Sequence, residues 1–334
     1  MLKRVVLCVL AISLVFTTVF ANGNQESSSS AASKPITLRL ADNQPDDYPT
    51  VQGCKEFARL VKERTNGRIM IEVYPNAQLG DAKSAIEQVQ FGGIDFTRTS
   101  ISPMASFSPE LDVLQMPYLY RDAEHYWNVL NGEIGEHFLK SVEKDGFIGL
   151  VYIDAGARSF YNTRRPIYSV SDMKGMKIRV QESALMVNMI KALGAVPTVI
   201  AYGDVYSALQ TGVIDGAENN WPSYASSAHF EVARYFSIDE HTRVPEMIIA
   251  SKITMDKLSA EDLAIIKQAA RDSQAFEIAA WAEYEQKSEA KMREAGCKIN
   301  KINSQEEFAQ AMMPLYDVLD ASSKAWVEKI KAVK

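Results

Sequence analysis

The sequence predicts an α/β protein with two lobes and one long helix. Strand-like and helix-like segments alternate from Ile36 to about residue 100, and a second alternation begins near residue 147. Such alternation is typical of mostly parallel sheets covered by helices. A helical pattern of about 36 residues follows nearer the C-terminus. At ~1.5 Å per residue this helix would span ~54 Å, which is longer than one small domain.

The first 21 residues have the features of a secretory signal peptide. Two basic residues, Lys3 and Arg4, precede an apolar run that ends at Phe20, and the small residue Ala21 follows. The run is shorter than the ~20 apolar residues that a membrane-spanning helix needs. Residues 22–35 are polar and rich in serine, which predicts a disordered linker. We therefore expect a secreted protein that is cleaved after Ala21.

Length and charge restrict the classes of protein to consider. The 334 residues exceed the ~100 to 200 that are typical of one domain, so two domains are expected. The net charge is −6, and it becomes −8 when Lys3 and Arg4 leave with the signal peptide. An acidic balance argues against nucleic acid as the main partner.

Two cysteines remain after the predicted cleavage, because Cys8 lies in the signal peptide. Cys54 and Cys297 are far apart in sequence, and neither has a histidine or a second cysteine at metal-ligand spacing. An oxidising compartment would allow them to form a disulfide, and two buried free thiols are equally compatible with the pattern. The sequence leaves both alternatives open.

The first alternation contains three strands and two helices. The predicted elements are a strand at 36–41, a helix at 50–65, a strand at 68–75, a helix at 81–91 and a strand at 94–100. Apolar residues recur at steps of three and four along the first helix, which is the spacing of one helical face. The segment TNG at 65–67 ends that helix.

The second alternation continues the same rhythm. Its predicted elements are strands at 147–154, 177–181 and 197–201, helices at 185–194 and 203–212, and the strand end IDGAENN at 214–220. The long helix runs from about Ser259 to Glu294, with the capping pattern SAED at its start and AGC at its end. A helix of this length could pack against both lobes and connect them.

Motifs of known enzyme classes are missing from the sequence. There is no G-x-S-x-G, no glycine-rich phosphate loop, no H-E-x-x-H and no C-x-x-C. The four histidines have no metal-ligand spacing; they are His125, His137, His229 and His241. We therefore expect no metal and no cofactor. A lyase or glycosidase built from carboxylates distant in sequence stays an alternative without positive support.

Polar residues near the ends of three second-alternation strands form a candidate site. Arg179 lies between Ile178 and Val180, and an isolated charge on a strand is typically a solvated edge residue. Arg158, however, follows the turn IDAGA, and Asn219 with its neighbour Asn220 ends IDGAENN. Strand ends of this kind converge in the crevice of α/β sheets. Guanidinium groups match carboxylates with two parallel hydrogen bonds, so the group predicts an anion site.

Several motifs in the same order resemble one family. They are RIMIEVYPNAQLGD, AIEQVQFGGID, LDVLQMPYLYRD, GMKIRVQES, AYGDVYSALQTGVIDGAENNW and the long helix, over residues 36–330. The chain resembles the solute-binding proteins of tripartite ATP-independent periplasmic (TRAP) transporters. The resemblance implies a two-lobe periplasmic binding protein fold with a long helix bridging both lobes. It also implies a protein without enzymatic activity, which captures a small organic acid in the periplasm and delivers it to the membrane subunits of a TRAP transporter.

The resemblance also implies lobe boundaries and residue roles. Lobe one would contain residues 36–156 and 245–284, and lobe two residues 157–244 and 285–334, with hinge strands near 155–158 and 243–246. Arg179 would pair with the ligand carboxylate. Asn219 would contact the same carboxylate, and Arg158 matches a second arginine that the family commonly uses.

Further candidate ligand contacts either match residues of the family or occupy positions where this chain departs from it. Tyr202 would be an aromatic neighbour of the ligand or a packing residue. Glu182 and Glu87 would accept hydrogen bonds from ligand hydroxyls or be solvated carboxylates. Trp221 would line the pocket or pack beneath it. Many relatives have a His-Pro pair after the first strand, where this chain has ADNQPDDYPTVQG; the candidates in that loop are Asn43, Asp47 and Tyr48.

These residues favour one ligand class and leave others open. Two arginines, an asparagine pair and hydroxyl acceptors fit a sugar acid, and a hexuronate such as glucuronate or galacturonate is expected first. A C4-dicarboxylate or another carboxylate stays open, because Arg158 could hold a second carboxylate. A secreted sugar-acid lyase, a binding protein of an ATP-driven importer and a sensor domain are the rivals from other classes.

Overall fold

The structure is a computed structural model, and it describes residues 35–334. The predicted signal peptide and nearly all of the predicted linker lie outside the described residues. No helix between residues 35 and 334 is both long enough and apolar enough to span a membrane.

The described residues form strands and helices that are numbered here in chain order. The strands are β1 (Ile36–Ala41), β2 (Ile69–Tyr74), β3 (Phe96–Ser100), β4 (Phe147–Ile153), β5 (Arg158–Asn162), β6 (Lys177–Val180), β7 (Val196–Val199), β8 (Gly216–Asn219), β9 (Tyr235–Thr242), β10 (Glu246–Ser251) and β11 (Lys298–Lys301). The helices are α1 (Pro49–Arg64), α2 (Ala82–Gln90), α3 (Ile101–Met104), α4 (Ala123–Leu130), α5 (Glu133–Ser141), α6 (Ala184–Ala192), α7 (Val205–Gln210), α8 (Trp221–Ser226), α9 (His229–Val232), α10 (Lys252–Met255), α11 (Ala260–Glu294), α12 (Gln305–Asp317) and α13 (Ala321–Ala332). Short 3-10 helices lie at Pro109–Gln115, Val142–Asp145, Val170–Met173 and Tyr202–Asp204.

The strands form two sheets, one for each lobe. The first sheet has the order β2-β1-β3-β10-β4, and the second has the order β11-β9-β5-β8-β6-β7. The predicted α/β class and the two-lobe fold are confirmed. Four of the five strands of the first sheet run in the same direction, as a mostly parallel sheet requires, and β10 alone is antiparallel to its neighbours β3 and β4. In the second sheet, β5 is antiparallel to β8 and β9.

Two crossings of the chain explain these antiparallel strands. The chain leaves the first sheet after β4 and enters the second with β5, and it returns from β9 to β10. The outgoing crossing contains a turn that Asp154 stabilises, since its Oδ1 accepts hydrogen bonds from the backbone N–H groups of Ala155 and Gly156 at 2.8 and 2.9 Å. The limits of the two lobes stay a prediction.

The long helix α11 contacts elements of both lobes. It packs along α1 and β4 beside the first sheet and against α8 beside the second. Its start is capped as the sequence predicts, because Ser259 Oγ accepts a hydrogen bond from Asp262 N at 3.0 Å. Gly296, with φ of 76°, follows its end. The helix therefore bridges the lobes along one side of the molecule.

The two cysteines occupy separate places and are free thiols. Cys54 is buried in the core between α1 and the first sheet, and burial raises the pKa of its thiol well above the usual value. Cys297 is half-buried and lies next to Tyr224, which is part of the core under the second sheet. Of the two alternatives, the structure supports free thiols.

Candidate ligand-binding site

A cavity between the two sheets brings together most of the predicted site residues. Eight of them line it: Asn43, Tyr48, Arg158, Arg179, Glu182, Tyr202, Asn219 and Asn220. That each of these residues contacts a ligand stays a prediction. The cavity is also lined by residues that sequence reasoning missed, among them Gln44, Arg98, Gln181, Ser223, Glu246 and Trp281.

Arg179 is a buried cation with a single hydrogen-bond partner. It lies on β6 opposite Ala217 of β8, and only 4% of its surface is exposed. Its Nε donates to the carbonyl oxygen of Ile200 at 2.8 Å, and neither terminal nitrogen has a partner among the described residues. Burial lowers the pKa of the guanidinium, which nevertheless stays charged because its usual pKa is so high. The terminal nitrogens of Arg179 therefore have hydrogen-bonding capacity that the described residues do not fill.

The fully buried side chains on either side of Arg179 explain its position. Ile178 and Val180 are completely buried in the core. Alternation along the strand then directs Arg179 to the opposite face of the sheet. That face borders the cavity and not bulk water, so the typical interpretation of an isolated strand charge as a solvated edge residue was wrong here.

Arg158 is held by its own protein partners. Its Nε and Nη2 pair with the carboxylate of Glu218, and Nη1 donates to Asn219 Oδ1 at 2.9 Å. The side chain is 97% buried and most of its donors are therefore occupied. Arg158 also begins β5 and does not end a strand, which corrects the expected position. Because β5 is antiparallel to β8, its first residue still lies beside Asn219 at the last position of β8.

Asn219 has one hydrogen-bonding group to offer. Its Oδ1 accepts from Arg158 and from the backbone N–H of Asn220, each at 2.9 Å. Its Nδ2 has no partner among the described residues. Asn219 therefore lines the cavity with its acceptor occupied and its donor group without a partner among the described residues.

Asn220 serves mainly to connect elements. Its Oδ1 accepts from Ser223 N at 2.7 Å and caps α8, while its Nδ2 donates to Ala155 O at 2.9 Å. Tyr48 lies close by, with its hydroxyl 2.8 Å from Ser223 Oγ. These contacts join the loop after β1, the outgoing crossing and α8 at the floor of the cavity.

Behind Arg158 lies a row of buried ionisable groups. His241 Nδ1 is 2.9 Å from Asp239 Oδ2, and His241 Nε2 is 3.5 Å from Glu218 Oε2. Burial disfavours the charged imidazole, but Asp239 and Glu218 outweigh it and raise the pKa of His241 to about 9. Burial likewise opposes ionisation of Glu218, but Arg158 and His241 outweigh it and lower its pKa to about 2. The row keeps Glu218 ionised and so fixes Arg158.

A second buried arginine lies on the first-sheet side of the cavity. Arg98 of β3 donates through Nε to Asp42 Oδ2 at 2.9 Å, through Nη1 to Glu246 Oε2 at 2.8 Å and through Nη2 to Asn43 Oδ1 at 2.7 Å. The sequence carried a signal for it, because Arg98 in IDFTRTS is a charge within a strand, as Arg179 is in GMKIRVQES. Its partner Glu246 had no such signal.

The structure does not bring three predicted residues to the cavity. Glu87 is exposed on α2, whose buried face is formed by Ile86 and other apolar residues, so its side chain projects to solvent. Asp47 is exposed in the loop after β1. Trp221 stacks on Phe236 with ring centroids 3.8 Å apart, which is a packing role.

Two remaining candidates lie at the borders of the cavity. Glu182 is at the mouth, where Oε1 is 3.3 Å from Lys83 Nζ across the gap between the lobes, and both side chains are about half exposed. Tyr202 is partly buried, and its hydroxyl lies 3.4 Å from Ser223 O. Among residues 35–334 no cluster of His, Cys, Asp and Glu is placed to hold a metal ion.

Comparison with known proteins agrees with this architecture. The model of the family "bacterial extracellular solute-binding protein, family 7" matches residues 40–322. The chain belongs to this family. Its members include the solute-binding proteins of TRAP transporters, so the resemblance noted in the sequence is confirmed.

Individual relatives cover most of their own length and most of this chain. A solute-binding protein of Chromohalobacter salexigens is 41% identical over 82% of this chain and 81% of its own. The C4-dicarboxylate-binding periplasmic protein DctP of Rhodobacter capsulatus is 30% identical over 91% of this chain and 92% of its own.

Solved structures of family members have the same fold. A TRAP periplasmic solute-binding protein from Bradyrhizobium sp. BTAi1, in complex with α/β-D-galacturonate, is 43% identical with a TM-score of 0.87, covering 88% of this chain and 99% of its own. One from Chromohalobacter salexigens with bound D-glucuronate is 38% identical with a TM-score of 0.87, covering 89% of this chain and 100% of its own.

Proposed function

We propose that this solute-binding protein captures a hexuronate, such as D-galacturonate or D-glucuronate, and delivers it to the membrane subunits of a TRAP transporter. The observation that carries the proposal is Arg179, a buried guanidinium whose terminal nitrogens have no partner among the described residues. Leaving a buried charge unpaired is costly, and a ligand carboxylate would satisfy it with two parallel hydrogen bonds. The Nδ2 of Asn219 would add a third donor.

The lining of the cavity supports a ligand with several hydroxyl groups. Polar side chains line it on both sides: Asn43, Gln44 and Glu246 come from the first-sheet side, and Gln181 and Ser223 from the second-sheet side. Hydroxyl groups both donate and accept hydrogen bonds, so a polyhydroxylated ligand suits such a lining. An apolar tail would desolvate these side chains without pairing them. The galacturonate and glucuronate of the similar structures have this chemistry.

The proposed mechanism is closure of the two lobes around the ligand. Arg179 and Asn219 belong to the second sheet, and Arg98 and Glu246 to the first, so a ligand in the cavity would contact both. A ligand shifts such an equilibrium only through contacts that the open state lacks. The hinge would lie at the crossings 154–157 and 243–245, with the lobe limits that the sequence predicts.

The experiment that tests the ligand class is a panel of acids and their neutral counterparts. The purified protein is titrated calorimetrically with D-galacturonate, D-glucuronate, D-galactose, D-glucose, succinate and malate. We expect saturation at one equivalent by at least one uronate, with micromolar affinity or tighter, and no binding of the neutral sugars. Equal affinity for glucose and glucuronate would refute carboxylate recognition.

The same samples test the remaining parts of the proposal. NMR spectra of a uronate incubated with the protein should stay unchanged, because we propose a binder and not a lyase; loss of the uronate signals would indicate turnover. We also propose periplasmic export with cleavage after Ala21. The intact mass of the protein isolated from the periplasm should then correspond to a chain that begins at Asn22.

A C4-dicarboxylate is the second candidate, since the Rhodobacter capsulatus relative is named for such a ligand. In this chain, however, the second arginine is already paired. Arg158 donates to Glu218 and Asn219, so it has little capacity left for another carboxylate. Tighter binding of malate or succinate than of either uronate in the same panel would favour this candidate.

A further inference from the structure

The first-sheet wall of the cavity carries an excess negative charge. Arg98 is the one cation of this group, and it pairs with two carboxylates, Asp42 and Glu246. Burial raises the pKa of Glu246, and the ion pair with Arg98 opposes this effect. With both carboxylates ionised, the group of three has a net charge of −1. The opposite wall has the reverse balance, because Glu218 neutralises Arg158 while Arg179 has no carboxylate partner. Among these buried groups, the second-sheet side has a cation without a carboxylate partner, and the first-sheet side has one carboxylate more than it has cations.

In this group, Glu246 is the carboxylate with an oxygen that accepts no hydrogen bond from the described residues. Its Oε2 accepts from Arg98 Nη1 at 2.8 Å, while its Oε1 accepts no hydrogen bond from the described residues. The side chain is 94% buried and lines the cavity. Asp42, in contrast, accepts from Arg98, from Thr50 and from the backbone N–H of Gln44. It has little free acceptor capacity.

The fold holds Glu246 in a fixed place. It is the first residue of β10 and pairs with Ser100 of β3 and Ile153 of β4, so strands flank it on both sides. The ion pair with Arg98 then fixes the orientation of the carboxylate. A fixed, desolvated acceptor distinguishes a hydroxyl, which donates a hydrogen bond, from a carboxylate, which brings a second negative charge.

We infer that Glu246 is a specificity-determining residue, which accepts a hydrogen bond from a ligand hydroxyl and discriminates against dicarboxylates. The inference rests on the proposed function. It adds that Glu246 selects which chemical group the ligand carries at the end opposite its Arg179-bound carboxylate. A hexuronate presents its carboxylate to Arg179 and a hydroxyl to Glu246. The corresponding aldaric acid has a carboxylate at both ends, and its second carboxylate meets a negatively charged wall. Specificity here is the difference between these two affinities.

The test compares two ligands with three forms of the protein. Calorimetric Kd values are measured for D-galacturonate and D-galactarate with the wild type, Glu246→Gln and Glu87→Gln. Glutamine keeps an oxygen that can accept from Arg98, and a melting curve verifies that each variant is folded. Glu87→Gln is the matched control, because it removes the same charge from an exposed position on the same lobe.

We expect the wild type to bind galacturonate at least tenfold more tightly than galactarate. Glu246→Gln should weaken galacturonate binding at least tenfold and lower the ratio of the galactarate Kd to the galacturonate Kd at least tenfold. The control should change neither value.

Different results would overturn the role of Glu246 and the proposed uronate binding. A wild type that binds galacturonate and galactarate equally, or a Kd ratio that Glu246→Gln leaves unchanged, overturns the role of Glu246 while the proposed function stands. A wild type that binds neither galacturonate nor glucuronate overturns the proposed function and this inference with it. If Glu246→Gln does not fold, the ratio of the galactarate Kd to the galacturonate Kd of the wild type decides whether the inference stands.

Discussion

At the scale of single residues, Arg158 and Arg179 of the second lobe differ in whether the protein supplies an anionic partner. Arg158 is surrounded by Glu218 and Asn219, whereas Arg179 has one backbone carbonyl and no anion. A buried arginine without an anionic partner lowers the stability of the folded protein. A binding protein can retain such a residue because the bound ligand supplies the missing anion. This is the difference that the proposed function expects between a residue that shapes the site and one that binds the ligand.

Replacement of Arg179 by methionine should therefore have two opposite effects. Loss of a charge-assisted pair, worth about 3 kcal/mol, lowers uronate affinity by about 100-fold or more. The unliganded variant should unfold at a higher temperature than the wild type, because an unpaired buried cation has been replaced by an apolar chain of similar length. Calorimetry gives the first value and thermal unfolding the second.

A matched control for this variant is Arg165→Met, an exposed arginine of the same lobe. It should change neither uronate affinity nor, by more than about 0.5 kcal/mol, stability. A melting temperature of Arg179→Met well below that of the wild type would show that the guanidinium supports the fold and is not an unsatisfied binding group.

His241 should make stability depend on pH. Its pKa is about 9 in the folded protein against ~6.5 in an unfolded chain, so protonation favours folding. This stabilisation is fully present below pH ~6.5 and is lost as the pH rises to about 9. Denaturant unfolding of the wild type and His241→Gln should give free energies that converge across this range. A difference that is the same at pH 6 and pH 10 would contradict the assigned pKa.

At the scale of elements, the contact between α1 and α11 leaves no room for a side chain at Gly53. A Cβ atom placed there would lie 2.8 Å from Glu277 Cβ and 2.7 Å from its Cγ. The absence of a side chain lets the two helices approach, and α11 carries this contact towards the second lobe.

Gly53→Ala offers a test in which two principles predict opposite signs. Helix propensity alone would stabilise the variant by about 1 kcal/mol. Overpacking of a close helix contact costs about 1 to 3 kcal/mol, and Glu277 is buried with little room to move. We expect the melting temperature to fall. A rise would show that the helices separate without cost.

The positions of several elements could be predicted from local sequence, but their partners in the sheets could not. Helices α4, α5, α12 and α13 and strands β5, β9, β10 and β11 were not predicted with bounds. The limits of α1, α2 and α11 agree with the apolar spacing and caps to within a residue or two. Arg179 and Asn219 were identified because polar residues on strands are a local signal. Glu246 was missed because its partner Arg98 is distant in sequence, and that contact requires the chain to return to the first sheet.

What the sequence left open or missed also has local causes. Glu87 was a candidate ligand contact or a solvated carboxylate, and the structure agrees with the second alternative because the apolar positions of α2 direct the helix face that contains it to solvent. The antiparallel strands β5 and β10 were not predicted, since an alternating βα pattern does not show that a strand runs back into an earlier sheet.

At the scale of the whole molecule, the two lobes touch at the floor of the cavity. Tyr48, from the first lobe, has its hydroxyl 2.8 Å from Ser223 Oγ of α8, and its ring packs edge-on against Trp281 of the bridging helix. The hydroxyl contact contributes to the approach of the lobes, while the ring belongs to the core.

Tyr48→Phe should weaken ligand retention and leave the fold intact. Loss of one buried hydrogen bond costs about 1 kcal/mol, which corresponds to about a fivefold increase in Kd. Because the bond forms across the lobes, the change should lie in the dissociation rate, which stopped-flow displacement of a bound uronate measures. An unchanged dissociation rate would mean that this contact persists in the open state.

The place of β10 has a consequence for how the chain is made. This strand lies inside the first sheet, between β3 and β4, although it comes long after both in the sequence. A nascent chain that ends before Ser251 has neither neighbour correctly paired, so lobe one cannot complete its core until synthesis has passed that point. Contacts of such sequence separation also slow folding. For the export proposed above, this order of synthesis means that the first sheet stays incomplete until β10 has been made.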